Sequence, residues 1–443
     1  MQEIRNRILK LFKAMANSEP TRVLFEIFWR VSILALPWQT RWFGEAELAG
    51  WPWEQGRWVF YAAWIPMAAT IIFGWMDSCR ENETKKAISR GDKVMAWVAG
   101  FIFIFSFLTA ASYVATAQWF VQVGLLVVFC HMLGRMSIPV KSLTMWFVVS
   151  LLPQAALAYW QYAVQRVDSV SWLGIAFQSP KQLGVSVVEF ADQRYLRAYG
   201  GMPHPNILGG WLAVGVLVCW QAAWKAAHKY EAFAWSAASA ILGGALLLTY
   251  SRSAFLALAV GLAITITAIF VKRKDERFSV QFGIFAMTVM LAFAGILAFT
   301  QRDVLLARAD SGNRLVEQSG SARWQSLVDG WQVFKSRPLQ GSGPNAELAR
   351  LARSRMDTEV KKLRQPLESP HNTFLLLLVN FGVLGAVASA WTLWRFRRAL
   401  LRRWWMLPPL VVLASFDHYV WSYWSGMCLV AMVWIASFGS PKD

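Results

Sequence analysis

FAWSAASAILGGALLLTYSRSAFLALAVGLAITITAIFV, residues 233–271, carries a single charge, Arg252. A bilayer core about 30 Å thick takes about 20 mainly apolar residues per helix. The stretch therefore predicts two membrane spans, 233–249 and 253–271, joined by a turn of a few residues. A guanidinium held in so short a turn costs free energy unless it snorkels to the interface or meets an anion. For Arg252 alone both outcomes stand open. Outward from this pair, comparable runs lie at 22–37, 58–76, 94–114, 118–134, 142–164, 206–224, 279–299, 373–394, 405–418 and 419–437. The first holds Glu26 and Arg30, spaced to pair on one helix face, and the last two share a turn at Asp417, His418 and Tyr419. The prediction is an all-α polytopic membrane protein with about 12 transmembrane helices.

Composition agrees. Of 443 residues, 56% are hydrophobic, 15% aromatic and only 16% charged, against about 25% charged in soluble domains. Disordered chains, disulfide scaffolds and coiled coils are excluded by the same figures. The net charge of +18 would raise nucleic acid as a partner in a soluble protein. Here its placement argues for none, because the charges fall between spans. Cys79, Cys130, Cys219 and Cys428 show no CxxC or Cys/His metal spacing and read as buried small hydrophobes. The basic stretch with Arg5, Arg7, Lys10 and Lys13 precedes an apolar run with no A-x-A site, so that run is expected to be retained as an anchor.

Short cytoplasmic loops retain Lys and Arg. One alternating set of connections is rich in them, at 1–22, 77–93, 131–141, 225–232, 272–277 and 395–403, and the opposite set is poorer apart from 300–370, which holds twelve but exceeds the length of about 60 residues within which the rule applies. Both termini are accordingly expected in the cytoplasm. Residues 1–299 would form spans 1–9 with an outer segment at 165–204, residues 300–370 a large helical outer loop between spans 9 and 10, and residues 371–443 spans 10–12. Within the loop, Trp324, Leu327, Val328, Trp331 and Phe334 recur at helical spacing. A turn follows at Gly341-Ser342-Gly343-Pro344, then a second amphipathic pattern from Ala346 to Leu363. The pair reads as helices lying on the membrane, a lid over a site, or both.

This orientation gathers Arg197, His204, Arg252 and His371 on the outer face. Arg197 alone is an ordinary loop charge, but two arginines on one face can clamp a diphosphate. His371 follows Pro370 and opens an apolar helix, where the positive end of the helix dipole favours a neutral imidazole able to accept a hydroxyl proton. The bland alternative is a cap. His204, between two prolines, is expected to shape the turn, with Asn206 capping the sixth span. His131, His228 and His418 have no distinguishing spacing. No DxD pair, GxSxG, HExxH or P-loop is present, so neither a metal site nor a cofactor is expected.

The order HPNILGGW (204–211), SRSAFLAL (251–258), ARWQSLVDGWQVFKSRPLQGSGP (322–344) and PHNTFLLLLVNFGVLG (370–385) resembles the O-antigen ligase and polymerase superfamily of bacterial envelope glycosyltransferases, over roughly residues 195–395. The resemblance implies a multi-span inner-membrane enzyme with a periplasmic active site. Its substrate would be an undecaprenyl diphosphate-linked glycan, transferred without metal and with inversion to an acceptor hydroxyl. It also implies His371 as catalytic residue and Arg197 and Arg252 as diphosphate ligands; His204, Asn206, Asn372 and Arg323, beside these motifs, are candidates for a supporting role. The family's first motif often lacks the His found here as His204, whose role stays open.

Three acceptors compete within the superfamily: lipid A-core for a ligase, the carrier-linked glycan for a polymerase, and protein for an O-oligosaccharyltransferase. Size and span number favour the ligase. The basic segment Arg350 to Arg364 would suit a phosphate-bearing core or anionic membrane lipid. A non-enzymatic alternative is a transporter of the same lipid-linked glycan. That reading calls for ionisable residues deep in several spans, and apart from Glu26 and Arg30 there are almost none.

Overall fold

In the computed structural model, residues 20–80, 90–271, 277–310, 314–356, 366–400 and 405–438 are described. The twelve apolar runs fold as helices, because a run of such residues satisfies its own backbone polar groups only when helical. They are α1 (Pro20–Ala35), α2 (Trp64–Arg80), α3 (Arg90–Thr109), α4 (Tyr113–Arg135), α5 (Val140–Val164), α6 (Pro205–Trp224), α7 (Lys229–Leu247), α8 (Arg252–Val271) and α9 (Arg277–Thr300). The 300–370 region supplies α10 (Arg302–Ala309), α11 (Arg314–Ser336) and α12 (Glu347–Arg355). The C-terminal part supplies α13 (Thr373–Leu400), α14 (Leu407–Phe416), α15 (Tyr419–Ser422) and α16 (Trp424–Phe438).

Among the described residues, α4, α5, α6 and α13 are long and apolar enough to cross a membrane on their own, and a fifth candidate is the α9–α10 pair, bent by 83°. The run at 405–418 yields a helix of only 10 residues. The run at 419–437 is broken between α15 and α16. The run at 58–76 begins as a strand. Short antiparallel pairs, invisible to the all-α reading, join β1 (Arg41–Phe43) to β4 (Val59–Tyr61), β2 (Glu47–Leu48) to β3 (Trp51–Pro52), and β5 (Val187–Phe190) to β6 (Gln193–Leu196). On α1, Glu26 pairs with Arg30 at 2.9 Å, as its spacing predicts. Cys219 and Cys428 are buried, while Cys79 and Cys130 are half-buried.

Helix α6 is the central post. Nearly every residue from Pro205 to Trp220 is buried, and α5, α7, α8 and α9 pack around it. Trp211 at its middle is fully enclosed and donates to the Ser425 carbonyl at 3.0 Å, tying α6 to α16.

Helix α13 is kinked where Gly382 takes φ 65°. A Cβ there would lie 2.2 Å from the Leu339 carbonyl oxygen, so only glycine fits. The turn at 338–343 enters the kink and replaces the lost helical bonds. Ser342 N–H donates to Val379 O at 2.9 Å, Gly343 N–H to Asn380 O at 2.9 Å, and Val383 N–H to Pro338 O at 2.8 Å. The glycine pair Gly341 and Gly343 is thus a turn, with φ of 69° and 85°.

The apolar stripe on α11 is split: Phe334 packs against Val333, Leu351 and Val379, while its two tryptophans do not face the protein. Trp324 and Trp331 are exposed, and the buried face carries Ser326, Asp329, Gly330 and Val333. Close approach decides this: a Cβ on Gly330 would lie 2.4 Å from Pro370 Cγ, so small residues pack inward and the two tryptophans turn out. On α12, Leu348, Leu351 and Ala352 are buried as their spacing predicts. The remainder of that expected helix, with Lys361, Lys362 and Arg364, lies outside the described residues, as do Arg5, Arg7, Lys10, Lys13 and residues 272–276.

Candidate active site

Four segments distant in sequence converge on the N-terminal end of α6. Arg197 leaves β6 and is 4% exposed, far from the ordinary loop charge that its sequence context suggests. Its Nε donates to Thr249 O at 2.7 Å and a terminal nitrogen donates to Asn206 Oδ1 at 2.6 Å. Asn206 in turn donates from Nδ2 to Asp417 Oδ2 at 3.0 Å. Asn206 therefore bridges a cation and an anion and does not cap α6. The cap is His204, whose Nδ1 accepts from Asn206 N–H at 3.1 Å, leaving Nε2 2.9 Å from Ser186 Oγ. Burial, then the charge of Arg197, lowers the His204 pKa to about 3, so it is a neutral structural imidazole.

His371 stands one residue before the cap of α13. Asn372 is that cap, its Oδ1 accepting from Leu375 N–H at 2.9 Å while Nδ2 donates to Ser415 O at 3.0 Å. The imidazole sits between two carboxylates, Nδ1 3.4 Å from Asp417 Oδ1 and Nε2 3.5 Å from Glu368 Oε2. These are ion-pair distances; Nδ1 makes no well-formed hydrogen bond. Burial opposes the imidazolium, yet Asp417 and Glu368 outweigh it and raise the His371 pKa to about 9. This corrects the expectation of a neutral imidazole, because two flanking anions outweigh a helix dipole that acts only over the first turn.

Asp417 lies in the break between α14 and α15, with its pKa held well below the usual carboxylate range despite burial, through His371, His418 and Asn206. The neighbouring His418 ring stands 5.2 Å from that of His371. Burial lowers its pKa to about 4.

Arg252 is the exposed first residue of α8. Its turn is set by Tyr250, held at φ 48°. The Tyr250 hydroxyl lies 2.7 Å from that of Tyr162, which donates to Gln301 Oε1 at 2.5 Å. Gln301 sits at the bend between α9 and α10, so one chain of hydrogen bonds fixes both the start of α8 and the start of α10. Helix α10 brings in Arg308, 9% exposed, whose Nε is buried with no hydrogen-bond partner. Burial, then the charges of Arg252 and Arg323, lowers its pKa to about 10. Arg197 is lowered to about 9 by burial and then by Arg308. Among the described residues no carboxylate pairs with Arg252, Arg308 or Arg323. Guanidinium groups gathered with so little counter-charge are suited chemically to meeting an anion.

Residues 237–390 match the family model described as O-Antigen ligase. The matched stretch is 154 of the 443 residues, and the similarity to the O-antigen ligase family rests on it. The chain matches no curated protein. The ligase-family segment contains Arg252, Arg308, Arg323, Glu368 and His371, whereas Arg197, His204, Asn206, Asp417 and His418 lie outside it.

Arg308, Glu368, Asp417 and His418 were not singled out by sequence. A carboxylate and an imidazole at a turn between two apolar runs were the available signal, and only their three-dimensional proximity to His371 gives them meaning. His131 and His228 are exposed and lie in the last turns of α4 and at the N-cap of α7. His371, Asp417 and His418 also bring one potential ligand atom each within 4.8 Å of one another, a spacing a metal ion could use. Asp417 already accepts from Asn206 through Oδ2 and from His418 N–H through Oδ1 at 2.8 Å, which favours a proton-handling role.

Proposed function

We propose that this protein is a metal-independent, inverting glycosyltransferase acting as an O-antigen ligase. It would move a glycan from undecaprenyl diphosphate to a hydroxyl of the lipid A-core at the periplasmic face of a bacterial inner membrane. The observation that carries the reading is the meeting of an uncompensated arginine cluster with a carboxylate-flanked imidazole. The arginines bind the donor diphosphate and neutralise it as the bond between the anomeric carbon and phosphate oxygen breaks, with the electron pair leaving on the diphosphate. His371, in its neutral form, takes the acceptor proton as that oxygen bonds to the anomeric carbon. Asp417, at ion-pair distance from Nδ1, stabilises the imidazolium that forms. Exposed Trp324 and Trp331 on α11 suit a helix lying in the membrane interface, beside a lipid donor.

The test is reconstitution of the full chain with undecaprenyl diphosphate-linked glycan and, in parallel, lipid A-core, free donor lipid or protein as acceptor, in excess chelator. Glycan appearing on lipid A-core supports the ligase. Elongation of donor indicates a polymerase, glycosylated protein an oligosaccharyltransferase, and an absolute magnesium requirement contradicts the metal-independent step.

A further inference from the structure

Beside the arginine cluster, the β5–β6 hairpin, the end of α10 and the start of α11 border an open polar cleft of about 510 Å³ that the transfer chemistry does not use. Glu189, Asp192, Asp310, Arg194, Arg314 and the ring of Phe190 line it. Glu189 draws the two arginines together, 2.9 Å from Arg314 and 3.9 Å from Arg194. The Arg194 Nε is nonetheless buried without a hydrogen-bond partner. The hairpin tip places Ala191 and Asp192 at φ 49° and 58°, a left-handed turn built without glycine. Such a turn costs free energy that the surrounding structure must offset.

The lining selects its ligand. Three carboxylates against two arginines repel an anion. A site for a bare metal ion is disfavoured as well: among the described residues, the group of three acids or imidazoles close enough to share a metal is His371, Asp417 and His418, none of which lines this pocket. What remains is a neutral polyhydroxyl ligand. Its diols donate to carboxylates, its oxygens accept from guanidinium N–H groups, and its C–H face packs on Phe190.

Ala307 of α10 and Asp310, which caps its C-terminus, line the pocket, while Arg308, one residue on from Ala307, points about 100° away around the helix. One helix, about 10 Å across, therefore separates the pocket from the arginine cluster. We propose that this pocket is a saccharide subsite that holds the donor glycan beyond the sugar undergoing transfer. The proposal rests on the transferase reading.

It is tested with full-length protein and two undecaprenyl diphosphate donors, one bearing a single sugar and one a long glycan of the same sugar. The quantity read is the ratio of kcat/KM for the long over the short donor. Wild type should favour the long donor. Asp192→Asn with Asp310→Asn should lower the ratio roughly tenfold, the loss of one or two hydrogen bonds. Phe190→Ala, which leaves every ion pair in place, should lower it in the same direction. A ratio near one in wild type, or an unchanged ratio in both variants, overturns the subsite. If wild type transfers neither donor, the transferase reading fails separately. The subsite is then decided by titrating the same glycan, freed of lipid and diphosphate, into wild type and Phe190→Ala: binding lost in the variant supports it, and no binding to wild type overturns it.

Discussion

Between about pH 4 and pH 9, His371 carries a proton that His418 does not. A base must be neutral to act, so kcat/KM should rise about tenfold per pH unit below about 9 and then level; a profile flat from pH 6 to 9 contradicts the role. Stability runs the other way. The folded His371 pKa lies above its ordinary 6.5, so the stabilisation it supplies is complete below about 6.5 and is lost as pH rises through about 9. Asp417→Asn should therefore lower the melting temperature more at pH 6 than at pH 10. Arg308 gives a second prediction of mixed sign. Buried, unpaired and repelled by Arg252 and Arg323, it destabilises the unliganded protein. Arg308→Met should raise the melting temperature while weakening donor binding at least tenfold, checked by thermal unfolding and donor titration. A stability gain with unaltered donor affinity would remove Arg308 from the diphosphate site.

Two close approaches fix the catalytic element in place. Gly330 lets α11 seat against Pro370, the residue before His371, and Gly382 admits the 338–343 turn into α13. Gly382→Ala adds backbone strain and a 2.2 Å clash and should destabilise by about 3 kcal/mol or more, read as a large drop in melting temperature. Gly330→Ala should shift Pro370 and reduce turnover more than donor affinity. The sequence motifs marked both glycines without explaining them, because a glycine's value lies in what approaches it. The α11 stripe was legible as a helix but not in its facing: Trp324 and Trp331 are apolar enough for a core yet too large for the gap that Pro370 leaves. His204 and Asn206 exchanged expected roles for a comparable reason, since the partner that claims Asn206 is Asp417, some 200 residues away.

At the scale of the molecule, hydropathy located the long helical runs among the described residues but not α10, and local spacing found the Glu26–Arg30 pair and the buried face of α12. It missed the three strand pairs, whose strands are 2 to 4 residues long, too short for a periodic signal. Arg197, Arg252 and His371 were recognisable through motifs, whereas Asp417 and Arg308 gain their roles only when α14 and α10 fold back beside them. The topology remains a prediction from charge placement. Cysteines introduced at positions 200 and 320 should label from outside the cell and those at 85 and 400 should not, with the reverse pattern contradicting a periplasmic site. The central claim, that His371 is the base of a diphosphate-displacing glycosyl transfer, is tested most directly by single-turnover transfer with His371→Ala, donor affinity being measured alongside. The rate at saturating donor should fall by about 10² to 10⁴-fold with donor binding retained; an undiminished rate, or lost binding with a normal rate, would contradict it.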